Sequence, residues 1–280
     1  MKKYTLIGHP LGHSMSPFIH DRLFKLKNRE VKYTLTDITP EDLTSKKDYL
    51  KNEFVGYNIT IPHKVAVIPL IDKMDTSAKK YNSVNCVANT KDGSIGYNTD
   101  CDGFLRSLEM NGISLGGKVL LLGCGGVGRM MAIESVSHGA DLTIAIIEEA
   151  KDMCNTLLKE LSEKFPTVNV KVVLINEISG KYELLMNATP VGMFPKVEDC
   201  PVSDEIISNC DAVFDVIYNP TETELIKRFK SQGKKAVGGM AMLVLQAVKA
   251  HELWDNDIYT NDEINKIIRE SSAKVEKDFQ

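Results

Sequence analysis

The sequence predicts an α/β protein with two domains, one of which contains a doubly wound parallel sheet. Its 280 residues exceed the usual size of a single domain. From Lys118 onward, apolar segments typical of strands alternate with helical segments over about 120 residues. A glycine-rich turn joins the first of these strands to the first of these helices. With 43% apolar and 26% charged residues, the composition is that of an ordinary globular protein.

The glycine-rich turn lies in the segment KVLLLGCGGVG, which spans residues 118–128. Its glycines are Gly123, Gly125, Gly126 and Gly128, of which the first, second and fourth fit the pattern G-x-G-x-x-G. A helix is predicted to follow over residues 127–139. Glycines in such a turn let the chain reverse tightly and bring backbone N–H groups and the helix N-terminus close to a pyrophosphate.

An acidic residue follows at the distance that a dinucleotide site requires. A second strand is predicted over residues 141–147, and Glu148 comes directly after it, twenty residues beyond Gly128. A carboxylate there accepts hydrogen bonds from the ribose hydroxyls of a dinucleotide. The glycine pattern alone also fits an ordinary loop, but the strand, the helix and the acid together favour dinucleotide binding.

The chain beyond Glu148 continues the alternation of helices and strands. The predicted elements are helices at 150–164 and 223–230 and strands at 170–174, 183–187 and 211–217. A loop with Thr189 follows the strand at 183–187. Helices predicted at 240–252 and 261–277 are expected to return to the N-terminal domain.

Near the N-terminus, a polar loop, GHPLGHSMSP, joins a short predicted strand to a predicted helix. It contains His13, Ser14 and Ser16. Loops of this kind hold ligand groups in open α/β sheets, so the hydroxyls are candidates for binding a carboxylate. Ser16 is also placed to cap the helix that begins at Pro17, and both interpretations stay open. The next predicted elements are a strand at 31–37 and a helix at 43–52.

Polar residues cluster at the end of a strand predicted over residues 54–61. Asn58 and Thr60 lie in this strand, which stops at Pro62 because proline has no N–H for the ladder. Lys64 follows at once. An exposed lysine in a loop is more often only solvated, so a function for Lys64 needs a second observation.

Two further polar residues are candidates for a site. A short helix is predicted at 71–80 and a strand at 83–90, and Asn85 stands in that strand where an apolar residue is expected. Its amide is therefore either satisfied by the backbone or directed at a ligand. Asp100 precedes a helix predicted at 102–111, where it either caps that helix or meets Lys64.

Charge and composition exclude several classes of function. A net charge of −4 with intermixed signs predicts no binding of nucleic acid or of an anionic membrane surface. The six cysteines show no metal-binding spacing, so we expect no metal site and reduced thiols in a cytoplasmic protein. The apolar stretch after Met1 is too short for a signal peptide, and no membrane span is predicted.

The chain resembles the shikimate dehydrogenase family through motifs in the family's order and spacing: GHPLGHSMSP, NITIPHK, SVNC, GYNTD, GCGGVG, NATPVGM, DVIYNP and GGMAMLVLQA. The resemblance implies an N-terminal α/β substrate domain of residues 1–101 with 239–280, and a Rossmann-type dinucleotide domain of residues 102–238. It also implies C-terminal helices that return to the first domain. The implied reaction is reversible hydride transfer between a nicotinamide cofactor and the C3 position of shikimate or 3-dehydroshikimate.

The resemblance also implies roles for single residues. Lys64 and Asp100 are implied as the catalytic pair, in which Lys64 relays a proton. The residues implied to bind substrate are Ser14 and Ser16 for the carboxylate, Thr60, Asn85 and Gln246 for the ring hydroxyls, and Tyr218 beside the ring. The residues implied to bind the cofactor are Gly123, Gly125, Gly126, Gly128, Glu148, Thr189 and Met240. At the positions of Tyr218 and Met240, simple packing is an equally good interpretation.

The expected cofactor is NAD rather than NADP. Family members that use NADP commonly have Asn-Arg-Thr after the second strand of the nucleotide domain, where this chain has Ile146, Ile147 and Glu148. A carboxylate at Glu148 repels a 2′-phosphate and suits a free 2′-hydroxyl. Arg129 or Lys151 remains as an alternative contact for a phosphate.

Three alternatives stay open at this stage. A quinate/shikimate dehydrogenase that uses NAD in quinate catabolism differs by one ring hydroxyl, and Ser83 and Cys86, where Ala and Thr are usual, make the ring substrate less certain. A related enzyme for another cyclic hydroxy acid, such as an aminoshikimate, would alter the partners of the ring hydroxyls. A non-catalytic dinucleotide sensor would have no use for Lys64 with Asp100. The sequence leaves monomer and homodimer equally open.

Overall fold

The computed structural model describes residues 1–12, 14–168 and 170–278. His13, named above in the first polar loop, lies outside the described residues. The chain forms two compact units, Met1–Phe104 with Leu243–Ser271, and Leu105–Met242 with Ser272–Gln280. Each unit has its own six-stranded sheet.

The first unit contains a mixed sheet. Its strands are β1 (Lys2–Gly8), β2 (Val31–Asp37), β3 (Gly56–Ile59), β4 (Lys73–Met74), β5 (Cys86–Thr90) and β6 (Gly93–Tyr97). The strand order is β2-β1-β3-β5-β6-β4, with β5 antiparallel to both of its neighbours and the other pairs parallel. Because β1 and β3 are parallel neighbours, the loops that follow them leave the same edge of the sheet.

Helices cover the sheet of the first unit. They are α1 (Ser16–Leu26), α2 (Lys47–Glu53), α3 (His63–Ala66), α4 (Thr76–Tyr81) and α5 (Thr99–Met110), of which α5 continues into the second unit. One part of the core contains Tyr4 and Phe24, whose rings lie 4.9 Å apart, and Trp254, which lies 4.9 Å from Tyr4. Burial of these aromatic side chains fixes α1 on the sheet.

The second unit contains a fully parallel sheet. Its strands are β7 (Lys118–Leu122), β8 (Asp141–Ile146), β9 (Val170–Leu174), β10 (Tyr182–Asn187), β11 (Cys210–Asp215) and β12 (Lys235–Val237). The order is β12-β11-β10-β7-β8-β9, so the direction of winding reverses between β7 and β10. Residues 119–122 of β7 are completely buried, as expected for a parallel strand covered on both faces.

Helices α6 (Gly126–Ser137), α7 (Lys151–Lys164), α8 (Asp204–Ser208) and α9 (Glu224–Ser231) belong to the second unit, and α10 (Gly239–Asp255) and α11 (Asn261–Asp278) complete the chain. The residues 243–271 of α10 and α11 belong to the first unit. In the part of the chain that the structure describes, no helix is long and apolar enough to cross a membrane.

The predicted fold class, an α/β protein with a Rossmann-type parallel sheet and C-terminal helices that rejoin the first unit, is confirmed. The helix predicted at 71–80 is partly wrong, because Lys73 and Met74 form β4 beside β6. Asp75 then begins α4 by accepting a hydrogen bond from the backbone N–H of Ser77 at 2.9 Å. Strands β4, β6 and β12 and helices α3 and α8 were not expected. The predicted boundaries 101/102 and 238/239 stay predictions.

Candidate active site

Lys64 and Asp100 form an ion pair in the first unit. Lys64 lies in α3, directly after β3, and Asp100 lies in the first turn of α5. The Nζ of Lys64 donates to Oδ2 of Asp100 at 2.7 Å. The side chains of Lys64 and Asp100 are 30% and 20% exposed, so the pair is mostly buried but still accessible to a ligand from solvent. Of the two interpretations of Asp100, the structure therefore supports the contact with Lys64.

Asn85 forms a hydrogen bond with the other carboxylate oxygen of Asp100. Its Nδ2 donates to Oδ1 of Asp100 at 2.7 Å, and its Oδ1 accepts from the backbone N–H of Thr99 at 2.7 Å. Asn85 is 3% exposed, so the polar residue in the strand segment is satisfied by its neighbours. These bonds hold the start of α5 against β5 and fix the direction of the carboxylate.

Thr99 and Gln246 join this cluster from opposite ends of the chain. The hydroxyl of Thr99 donates to Oε1 of Gln246 at 3.4 Å, and Nε2 of Gln246 donates to the carbonyl of Leu243 at 3.0 Å. The contact brings Gln246 of α10 next to Asn85 and Asp100. Sequence reasoning missed Thr99, although its place in the motif GYNTD directly before Asp100 was a usable signal.

The first polar loop carries both predicted serines to the end of β1. Helix α1 begins at Ser16, and Met15 precedes it without a side-chain cap, so the interpretation of Ser16 as the helix cap is wrong. The backbone N–H of Ser16 instead donates to the Ser14 hydroxyl at 3.2 Å. Both serines are only half-buried.

Asp37 at the end of β2 fixes the start of this loop. Its carboxylate contacts Nδ1 of His9 at 2.7 Å and accepts from the backbone N–H of Leu11, also at 2.7 Å. These two hydrogen bonds hold the pKa of Asp37 below its ordinary value, and the one from His9 has the larger effect. Thr60, the residue after β3, donates its backbone N–H to Ile7 of β1, so it lies beside the same loop.

The glycine-rich turn of the second unit has the form of a pyrophosphate cradle. Gly123 has a φ of +85°, and a Cβ on Gly128 would lie 2.5 Å from the carbonyl oxygen of Gly123. A Cβ on Gly125 or Gly126 would meet nothing within 4 Å, so the space above the turn is open. Helix α6 begins there without a side-chain cap, which leaves its first N–H groups for an anion.

Thr189 lies next to this turn, at the point where the winding of the sheet reverses. The backbone N–H of Ala188 donates to the carbonyl of Leu122 at 3.0 Å. A Cβ on Gly123 would lie 2.9 Å from Cγ2 of Thr189. In open α/β sheets this reversal point is where ligands bind, and Thr189 and the glycine turn lie side by side there.

Tyr218 and Met240 each follow a residue of one backbone hydrogen bond in the same unit. The backbone N–H of Gly239 donates to the carbonyl of Ile217 at 2.9 Å, which places the start of α10 beside the end of β11. Burial raises the pKa of Tyr218 above its ordinary value. Met240 is 5% exposed and so also serves as a packing residue.

Glu148 lies at the surface and is already paired. It begins a single 3₁₀ turn, Glu148–Ala150, and its side chain is 63% exposed. The carboxylate forms an ion pair with Lys151. Arg129, the other alternative for a phosphate, is held by both carboxylate oxygens of Glu160 at 2.6 Å.

Comparisons with known proteins identify the family of this chain. The family model of the shikimate dehydrogenase substrate binding domain matches residues 6–87. A shikimate dehydrogenase (NADP(+)) of Caldanaerobacter subterraneus subsp. tengcongensis is 35% identical over 272 residues, which cover 96% of each chain. The chain belongs to the shikimate dehydrogenase family. A shikimate dehydrogenase (NADP(+)) of Clostridium beijerinckii is 38% identical over 256 residues, with 91% of this chain and 92% of the relative covered.

A solved shikimate dehydrogenase has the same fold along its whole length. The structure of shikimate 5-dehydrogenase from Thermus thermophilus in complex with NADP(H) and shikimate is 28% identical, with a TM-score of 0.83. The match covers 97% of this chain and 100% of that chain. The family named from eight sequence motifs is thereby confirmed.

The expectation that NAD is the favoured cofactor is wrong. The relatives from Caldanaerobacter and Clostridium are both named for NADP(+), and the Thermus structure contains NADP(H). The physical argument failed because it treated Glu148 as an isolated carboxylate. In the structure Lys151 neutralises that charge, and both groups are open to solvent, so Glu148 is a weak barrier to a phosphate.

Proposed function

We propose that this protein catalyses the reversible reduction of 3-dehydroshikimate to shikimate with NADPH. The observation that carries the proposal is the cluster in which Asp100 accepts from Lys64 through one oxygen and from Asn85 through the other. The reaction consumes 3-dehydroshikimate, NADPH and one proton, and it yields shikimate and NADP⁺. The resulting shikimate serves the formation of chorismate and aromatic amino acids.

Lys64 is the proposed proton donor in the reduction. When bound, the cofactor supplies the hydride that adds to the carbonyl carbon. The Lys64 ammonium donates a proton to the oxygen that becomes the C3 hydroxyl and recovers it from water. In the direction of oxidation, neutral Lys64 takes that proton from the hydroxyl. A positioned acid or base of this kind accelerates a reaction by about 10²- to 10⁴-fold.

Asp100 is proposed to orient Lys64 and to bind a substrate hydroxyl. A carboxylate has acceptor positions beyond the two that Lys64 and Asn85 occupy, so it can take a third donor from the substrate. Its place in the first turn of α5 favours the negative charge because the helix dipole is positive at that end. Asn85 keeps the carboxylate in one orientation.

The remaining residues of the first unit are proposed to bind the rest of the substrate. Ser14 and Ser16 lie on a loop held by Asp37, and their hydroxyls are suited to donate to the substrate carboxylate. Thr60 and Gln246 are proposed partners of the ring hydroxyls. This division gives every polar group of shikimate a partner, which is the basis of selectivity for a polyhydroxylated acid.

The glycine-rich turn is proposed to bind the pyrophosphate of NADP. Its open upper face and the uncapped N-terminus of α6 support this assignment. Lys151 is the proposed contact for the 2′-phosphate, since its ammonium lies next to the residue that follows the second strand. Thr189, Met240 and Tyr218 are proposed to lie toward the nicotinamide end, with Tyr218 also beside the substrate.

Steady-state kinetics of the purified protein test this proposal. Oxidation of shikimate and of quinate is followed at 340 nm, each with NADP and with NAD. We expect shikimate with NADP to give the highest kcat/KM. A higher kcat/KM with quinate would support the quinate/shikimate dehydrogenase instead, and binding of NADP without turnover of either acid would support a dinucleotide sensor.

A further inference from the structure

A buried carboxylate lies at the end of β11, two strands from β7, the strand that leads into the glycine-rich turn. Asp215 has no exposed surface. Its Oδ1 accepts from Nδ2 of Asn187 at 3.0 Å and from the backbone N–H of Ile217 at 3.1 Å, and its Oδ2 accepts from the Thr223 hydroxyl at 2.7 Å. All three donors are uncharged. Burial without a cationic partner raises the pKa of Asp215 above its ordinary value, so this carboxyl is an expensive group to keep in a core.

The first donor connects Asp215 to the loop with Thr189. Asn187 is the residue paired with Asp215 across β10 and β11, and it is also fully buried. Its Oδ1 accepts from the backbone N–H of Thr189 at 3.1 Å and from the Thr189 hydroxyl at 2.6 Å. The Thr189 hydroxyl in turn accepts from the backbone N–H of Val191 at 3.3 Å. The conformation of this loop therefore depends on how Asp215 orients the amide of Asn187.

The second donor connects Asp215 to the start of α10. The bond to Ile217 fixes the turn after β11, and the carbonyl of Ile217 accepts from Gly239, the residue before Met240. A Cβ on Gly239 would lie 2.0 Å from the carbonyl oxygen of Val216, so the two segments are in direct contact. Tyr218 belongs to the same turn.

The third donor connects Asp215 to helix α9. Thr223 is the cap of α9 and accepts from the backbone N–H of Ile226 at 3.3 Å while it donates to Asp215. A carboxylate accepts several hydrogen bonds through its two oxygens, whereas an amide accepts through one oxygen only and an alkyl side chain accepts none. The ends of β10 and β11 and the start of α9 thus share the Asp215 carboxylate as their acceptor. This shared role explains why a buried carboxylate is kept in the core despite its cost.

We infer that Asp215 is a positioning residue for the nicotinamide half of the cofactor site. It acts through Asn187 on Thr189 and through Ile217 on Tyr218 and Met240, and it touches neither substrate nor cofactor. The inference rests on the proposed function, because that proposal assigns these residues to the nicotinamide end. The adenosine half is formed by the glycine-rich turn and Lys151. Thr189 faces that turn with its methyl group, while its N–H and hydroxyl bond to Asn187.

Two ligands separate the two halves of the site. NADP occupies both halves, whereas adenosine 2′,5′-bisphosphate carries the 2′-phosphate and one 5′-phosphate but has no nicotinamide. Calorimetry gives the Kd of each for the wild type and for Asp215→Ala. Since the Ala variant leaves three buried donors without their acceptor, we expect the Kd of NADP to rise about tenfold or more. The Kd of the bisphosphate is expected to stay within about twofold, because its contacts lie elsewhere.

Further variants keep the test decisive if Asp215→Ala folds poorly. Asn187→Ala removes the connection to Thr189 together with one donor to Asp215, but it leaves the donors Ile217 and Thr223 in place. It should raise the Kd of NADP without changing that of the bisphosphate. Asp215→Asn keeps one acceptor oxygen and should lie between wild type and Asp215→Ala. Asp211→Asn changes the same side chain at an exposed position of the same strand and should behave as wild type. In turnover, the KM for NADP should rise more than the KM for shikimate, because of the residues that Asp215 positions only Tyr218 is also proposed to lie beside the substrate.

The outcomes distinguish this inference from the proposed function. A wild-type protein that binds neither ligand would overturn both. A wild type that binds both ligands, with folded variants that lose NADP and the bisphosphate in parallel, would overturn the inference alone, because Asp215 would then only stabilise the fold. Unchanged binding of NADP by Asn187→Ala and Asp215→Ala would also overturn it.

Discussion

The ammonium nitrogen of Lys64 lies 2.7 Å from Oδ2 of Asp100, although the two residues are 36 positions apart in the chain. Lys64 comes from the helix after β3, and Asp100 comes from the helix after β6. The pair is partly shielded from water, so its attraction exceeds that of a surface pair. In such a pair Asp100 keeps the ammonium group of Lys64 in one orientation, while the ammonium stays accessible as a proton donor.

Replacement of Lys64 tests its role as the proton donor. We expect Lys64→Ala to lower kcat by about 10²- to 10⁴-fold, since the developing oxyanion loses its proton source. The affinity for NADP should not change, because Lys64 lies in the first unit and the glycine-rich turn in the second. Measurement of kcat and of the Kd for NADP separates the two effects. Lys91→Ala, at an exposed turn, is the matched control, and a Lys64→Ala enzyme with normal kcat would contradict the role.

The ion pair of Glu148 with Lys151 predicts how the cofactor preference can be changed. Glu148→Gln removes the carboxylate that competes for Lys151, so we expect the KM for NADP to fall by about two- to threefold, as is usual for an exposed pair. Lys151→Ala should raise the KM for NADP and leave the KM for NAD unchanged, since NAD has no 2′-phosphate.

Glu149→Gln serves as the matched control for this prediction, because Glu149 is an exposed acid in the same 3₁₀ turn. Higher salt should reduce the difference between Glu148→Gln and wild type. If Lys151→Ala weakens NADP and NAD equally, Lys151 does not contact the 2′-phosphate.

Two buried histidines predict how stability depends on pH. Nδ1 of His20 lies 2.9 Å from Nε2 of His251, and Nδ1 of His251 lies 2.8 Å from the hydroxyl of Tyr259. Desolvation lowers the pKa of His20 well below its ordinary value and lowers that of His251 to about 3. The neighbouring charges of Arg29 and Asp257 lie on the His251 side of this pair.

Because the folded state holds these histidines neutral, the unfolded state binds more protons at acidic pH. Their contribution to stability is complete above pH 6.5, the ordinary histidine value, and is lost as the pH falls toward 3. Each histidine adds a slope of up to about 1.4 kcal/mol per pH unit in that window. Urea unfolding at pH 7.5 and at pH 5.5 measures the loss. His138→Gln, at a half-exposed site, should leave the slope unchanged, whereas an equally steep slope in His251→Gln would contradict the assignment.

Much of the architecture followed from patterns that are local in sequence. The run of apolar residues in β7, its glycine turn and the acid after β8 predicted the parallel sheet, because a strand buried on both faces needs no contact from elsewhere to be recognised. Strands β4 and β6 were missed because they are short and exposed in part. They form by pairing, β6 with β5 and β4 with β6. Pairing between distant segments leaves little trace in a window of ten residues.

The candidate site divides in the same way. Lys64 and Asp100 were singled out because each is a charged residue after a strand or before a helix. Asn85 was singled out because it is polar inside a predicted strand. Thr99 and Asp215 were missed because their importance comes from what they hold rather than from a motif. The prediction of NAD was wrong for a related reason. The effect of the Glu148 charge on a 2′-phosphate depends on its ion pair with Lys151, and the sequence does not display that contact.

Close packing at Gly56 gives a prediction about stability that does not involve the site. A Cβ at this position of β3 would lie 2.2 Å from Nε1 of Trp254, which donates to the carbonyl of Val87 at 2.9 Å. Trp254 is 8% exposed and packs on Tyr4, so the ring cannot move away without loss of other contacts. We expect Gly56→Ala to lower the free energy of unfolding by about 1–3 kcal/mol, the usual cost of overpacking.

The single tryptophan makes this prediction easy to measure, because all tryptophan fluorescence of the protein comes from Trp254. Urea unfolding followed by its emission should show a lower midpoint for Gly56→Ala and an altered emission spectrum of the folded state. Gly12→Ala is the matched control, since a Cβ there would meet nothing within 4 Å. An unchanged midpoint for Gly56→Ala would mean that β3 and α10 can separate freely, which is incompatible with the buried hydrogen bond from Trp254 to Val87.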